Sequence, residues 1–133
     1  MKTLGIALAV IAALIVFSLV SRGQMLDPAE ALQRVESGQA VLIDVREPAE
    51  WAATGVAAPA ALLSLSDLKG DRREWTPYLE AHRGKELILY CRSGNRSGIA
   101  GRILAKEGWT VANGGAFKTW QAAGLPVRQV ESK

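Results

Sequence analysis

Cys91 is the only cysteine of the chain, and the six residues after it, Arg92-Ser93-Gly94-Asn95-Arg96-Ser97, are small, polar or cationic. A sulfur nucleophile reacts as its thiolate, so it needs surroundings that favour negative charge. Gly94 and Gly98 allow the backbone to curl until successive N–H groups point inward as an anion-binding nest. A helix starting behind the loop, at about Ser97, adds the positive end of its dipole. Arg92 and Arg96 bring two permanent cations. The expectation is a Cys91 thiol with a pKa below its usual ~8.5, in a loop that can also hold an anionic substrate or a charged sulfur bonded to the thiol. A lone cysteine is otherwise most often an apolar core residue. An inert one has no use for these neighbours.

Spacing narrows the chemistry. In the cradles of phosphotyrosine-type phosphatases an arginine stands where this chain has Ser97, whereas Arg96 comes one position earlier. The tighter ring from Cys91 to Arg96 suits one sulfur atom better than a tetrahedral phosphate. Asp44 and Arg46 follow a strand and either line the same site or support it. His82 sits at the end of a polar helix with nothing around it resembling a base and its orienting partner, so a solvated surface role is expected. One cysteine and one histidine cannot form a tetrahedral zinc set, and no metal or other cofactor is expected.

The elements that must position these residues are short. Asp27-Pro28-Ala29-Glu30 reads as a helix start, with Asp27 as N-cap and Glu30 closing a capping box, and Gly38 as its stop. Met25-Leu26 before it reads as a small edge strand. Ala40 to Ile43 is a buried strand leading to Asp44. Glu47-Pro48 opens a helix that carries Trp51 inward and ends at Gly55. A weak strand is expected at Ala61 to Leu63, helices at Ser66–Lys69 and Arg72–Ala81, and a strong strand at Glu86–Tyr90 that delivers Cys91. Ser97–Glu107 is a helix, Thr110–Ala112 a strand, Gly114-Gly115 a turn and Ala116–Ala123 a last helix. Strands alternating with helices mean βα units, hence one α/β domain with a mainly parallel sheet. The carboxyl ends of such strands are where ligands bind, and Cys91 lies at one.

Composition limits the rest. The 133 residues suffice for one domain, and 49% hydrophobic with 22% charged residues is a globular balance. From Leu4 to Val20 every residue is apolar except Gly5 and Ser18, with Lys2 before and Arg22 after. Residues 1–22 therefore read as a signal peptide or a single membrane anchor through 4–20. No Ala-x-Ala site follows the run, which tilts the reading toward an anchor. Either way the following domain is expected to be exported, periplasmic or held at the inner membrane facing the periplasm. A net charge of +3 with dispersed basic residues lacks the basic stripe of a nucleic-acid binder.

Four motifs in order, Ile43-Asp44-Val45-Arg46-Glu47-Pro48, then Glu50-Trp51 with Gly55, then Cys91 to Ser97, then Gly114-Gly115 with Trp120, resemble the rhodanese-domain family of sulfurtransferases. The resemblance covers a domain at residues 25–128 and implies a five-stranded parallel sheet flanked by helices. The layout is similar to that of exported single-domain bacterial rhodaneses. It implies that Cys91 takes a sulfane sulfur from a small anionic donor such as thiosulfate. The persulfide would be cradled by Arg92, Ser93, Gly94, Asn95, Arg96 and Ser97, and passed to a thiol or to cyanide. In the family Asp44 and Arg46 mostly support the loop. The family's usual His-Ile-Pro-Gly-Ala after Gly55 is here Val56-Ala57-Ala58-Pro59-Ala60, so substrate preference does not carry over. A non-catalytic persulfide carrier or partner-binding module is the alternative.

Overall fold

Two apolar strands form the centre of the structure, a computed structural model that describes residues 24–132. They are β1 (Ala40–Asp44) and β4 (Glu86–Cys91), paired in parallel from Ala40↔Glu86 to Asp44↔Tyr90. Adding β3 (Ala61–Leu62) and β5 (Val111–Ala116) gives a four-stranded parallel sheet in the order β3-β1-β4-β5. A separate antiparallel pair joins β2 (Val56–Ala57) to β6 (Val127–Arg128). The expected fifth strand is reduced to a single parallel bridge from Met25 to Asn113, with Leu26 N–H donating to the Asn113 carbonyl at 2.8 Å.

Alternation along β4 divides the core in two, because successive strand residues point to opposite faces. Leu87, Leu89 and Cys91 join Ile43, Trp75 and Leu104 on one side. That side is covered by α3 (Leu65–Lys69), α4 (Trp75–Ala81) and α5 (Asn95–Lys106). Ile88 and Tyr90 join Leu42, Phe117 and Trp120 on the other. There α1 (Pro28–Glu36) and α6 (Phe117–Ala122) lie against the sheet. The remaining helix, α2 (Pro48–Thr54), follows β1 and buries Trp51. Leu87, Ile88 and Leu89 are all fully buried, and each such side chain stabilises by about 1.5–3 kcal/mol.

Several boundaries differ from the sequence reading. Asp27 caps α1 through its backbone carbonyl, which accepts from Ala31, and not through its side chain. Gly114-Gly115, read as a turn, lies inside β5. The β4–β5 register jumps there from Leu89↔Asn113 to Tyr90↔Gly115, a β-bulge that leaves Gly114 unpaired. A Cβ at Gly114 would stand 3.1 Å from Ile88 Cγ2, and Gly115 has φ +81°, so a side chain is unwelcome at either position. The apolar run 4–20 and the leader or anchor expected over 1–22 lie outside the described residues. Among the described residues no helix is long and apolar enough to cross a membrane.

Candidate functional site

Cys91 ends the central strand, and the same alternation that turns Leu87 and Leu89 toward α5 turns its sulfur that way. The chain then reverses within Arg92–Gly94, and α5 begins at Asn95, two residues before the expected start at Ser97. Gly94 is the reason. It serves as N-cap with φ +95°, in the left-handed region, where a side chain is strained. A Cβ there would also collide with Met25 Cε. Arg96 and Ser97 thus belong to the first turn of the helix, and the cradle is part loop, part helix terminus.

The Cys91 sulfur accepts a hydrogen bond from Gly94 N–H at 3.0 Å, and Ser97 Oγ lies 3.5 Å away. Burial pushes the thiol pKa up. The Ser97 hydroxyl and the backbone N–H groups of Ser97, Ser93 and Gly94 outweigh it, so the net shift is downward. The direction matches the sequence expectation, but the main cause is different. Hydrogen bonds, more than free guanidinium charge, favour the thiolate.

Arg96 is in fact engaged elsewhere. Its guanidinium forms a two-pronged ion pair with Glu50 on α2, at 2.5 and 2.8 Å. The Arg96 hydrogen bonds hold the Glu50 carboxyl down at about 2. Glu50 also accepts from the Glu47 backbone at 3.3 Å in the capping box of α2, so one carboxylate starts α2 and ties it to α5. Arg92, Ser93 and Asn95 are exposed to solvent, whereas the Cys91 side chain is 0% exposed. The cradle is therefore closed over its sulfur.

Asp44 and Arg46 do not line the cradle. Both are buried, and Arg46 Nη2 contacts Asp44 Oδ2 at 2.8 Å. Arg46 also donates to Gly55 O and Thr54 Oγ1 at 2.9 Å and lies over the Phe117 ring at 4.6 Å. The pair therefore ties the end of β1 to the end of α2. Tyr90, next to Cys91, accepts from Ala57 N–H at 2.9 Å, which pins the atypical segment after Gly55 to the central strand. His82 stacks on Tyr78 at the end of α4. Among the described residues no cluster could hold a metal ion.

Two residues of the site escaped the sequence reading. Glu50 entered only as part of the Glu50-Trp51 motif, with no role, because its partner is 46 positions away. Asn113 stands just before the bulge. Its Oδ1 accepts from Ser97 Oγ at 2.8 Å and from Gly115 N–H at 2.9 Å, and its Nδ2 donates to Gly94 O at 3.0 Å. A polar residue inside a strand, followed by two glycines, was the available signal.

Comparisons with known proteins bear on the family and the fold. The family model of the rhodanese-like domain matches residues 27–123. The chain is 36% identical over 100 residues to the uncharacterized protein slr1261 of Synechocystis, a match covering 73% of this chain and 52% of that protein. It is 30% identical over 94 residues to the thiosulfate:glutathione sulfurtransferase of Saccharomyces cerevisiae, covering 63% of this chain and 66% of the yeast protein. The chain thus spans between half and two thirds of these relatives. Among solved structures, the polysulfide-sulfur transferase homodimer of Wolinella succinogenes superposes with a TM-score of 0.64 at 27% identity, covering 92% of this chain and 89% of that one.

Proposed function

Because the chain belongs to the rhodanese-like domain family, we propose that it is a sulfurtransferase in which Cys91 carries the sulfur. The observation that carries this reading is the sulfur-centred set of donors around Cys91, whose thiol pKa is lowered despite burial. In the first step the Cys91 thiolate attacks the outer sulfur of a donor such as thiosulfate. A new S–S bond forms, and sulfite leaves with the electron pair of the bond that breaks. The persulfide's negative outer sulfur is held by the N–H groups of the cradle formed by Arg92 to Ser97. In the second step a thiolate or cyanide attacks that outer sulfur, and the pair of the breaking bond returns to Cys91. This is covalent ping-pong catalysis. No general base is needed where hydrogen bonds supply the thiolate, and no cofactor enters either step.

A thiol is the favoured acceptor, in line with the yeast relative's name. The apolar run 4–20 between Lys2 and Arg22 supports export, with the domain periplasmic or anchored at the membrane. One observation favours the alternative reading, a persulfide carrier loaded by a protein partner. The Cys91 side chain is 0% exposed, so a donor must open the cradle to reach it.

Incubating the full chain with thiosulfate, while following intact mass and sulfite, tests the proposal. The expected result is a gain of one sulfur atom, absent in Cys91→Ser, and its rapid loss on adding cyanide or a thiol. No gain from thiosulfate, polysulfide or a low-molecular-weight persulfide would sink the enzyme reading. A gain that small acceptors fail to discharge would point to the carrier.

A further inference from the structure

The hydroxyl of Ser97 faces two acceptors and has one proton to give. Asn113 Oδ1 is 2.8 Å away and the Cys91 sulfur 3.5 Å away. The amide of Asn113 cannot turn over to relieve this competition. Its oxygen accepts from Gly115 N–H at 2.9 Å and its nitrogen donates to Gly94 O at 3.0 Å, so both backbone partners fix which end is which. The bulge at Gly114 fixes where the side chain starts.

We propose that Asn113 is a positioning residue that competes with the Cys91 sulfur for the single Ser97 proton. With a neutral thiol, S–H points to the Ser97 oxygen and the Ser97 proton goes to Asn113. When the thiol ionises, the Ser97 proton swings to the sulfur. Asn113 Oδ1 then keeps Gly115 N–H and is not left unsatisfied, so the swing carries no penalty for an orphaned buried acceptor. When a second sulfur is bonded, the charge sits one atom farther out and the proton returns to Asn113. The hydroxyl thus follows the charge on the sulfur, and Asn113 sets how firmly it is held back.

This inference rests on Cys91 being the reacting thiol, but its test needs no sulfur donor. The pH dependence of Cys91 alkylation by iodoacetamide, measured on the full chain, reads the thiol directly because no other cysteine is present. Removing the competitor in Asn113→Ala is expected to lower the apparent thiol pKa by about half a unit or more. Ser97→Ala is expected to raise it, and adding Asn113→Ala to Ser97→Ala to change nothing further. The neighbouring charged groups are the same across this cycle: Arg92 and Arg96 beside the loop, Glu47 and Glu50 in the capping box of α2, Asp44 at the end of β1 and Arg46 just after it. An Asn113→Ala shift of equal size with and without Ser97 would reduce Asn113 to a structural brace and overturn the proposal, as would no shift at all. If Asn113→Ala fails to fold, Asn113→Asp serves the same cycle. Its stronger acceptor must raise the pKa more in the presence of Ser97 than in its absence, and equal increments overturn the proposal.

Discussion

Glu50 places one carboxylate under two demands, capping α2 and engaging Arg96, and its chemistry is open to test at the scale of that residue. Its pKa falls from 4.5 to about 2, chiefly through the Arg96 hydrogen bonds. A lowered carboxyl pKa adds stability that is fully present above about pH 4.5 and is lost as the pH falls toward 2. Glu50→Gln should therefore flatten the acid side of the melting temperature against pH, measured by circular dichroism. The ion pair is partly exposed, so its loss near neutral pH should cost no more than about 1 kcal/mol. Glutamine still serves the capping box. The released Arg96 should also attract an anionic donor, lowering KM for thiosulfate several-fold with less change in kcat. An unchanged KM would show that the donor never feels Arg96.

At the scale of elements, the buried Asp44–Arg46 pair joins the end of β1 to the end of α2 and sits against α6 through Phe117. Arg46→Met should destabilise the domain by about 3–5 kcal/mol in urea unfolding, because Asp44 would be left charged and unpaired in the core. Adding Asp44→Asn should recover part of that loss. A single variant as stable as the parent would mean that water reaches the pair. This pair also marks what the sequence could tell. Its residues stand two positions apart, Asp44 ending an apolar strand and Arg46 just after it, so their place at the strand's carboxyl end was legible, while their choice between lining and support was not. Cys91 and its loop were legible for the same reason, being contiguous. The early start of α5 was not, because it depends on Gly94 adopting φ +95° under Met25, a contact between distant parts of the chain. The two glycines of β5 look like a turn in one dimension and become a bulge only beside Leu89 and Tyr90. The fifth strand was expected from resemblance, and local pairing reduces it to one bridge.

For the whole molecule, the order of the sheet decides which parts give way first. β4 has a neighbour on each side, whereas β3 and β5 lie at the edges of the four-stranded sheet. Local openings begin where strands are short and peripheral, and reach the centre only by global unfolding. In hydrogen exchange followed residue by residue, Ala61 and Leu62 of β3 should exchange early. The amides of Leu87 to Tyr90 should wait for the whole fold to open, and Arg92 should exchange faster than any of them. Early loss of protection at Leu89 would contradict this order. The Cys91 sulfur is thus fastened to the last part of the domain to melt, while the loop that covers it can breathe. A chain that has begun to fray under heat or stress would keep its chemistry in place until the fold as a whole is lost, and its activity should disappear in one step with the fold.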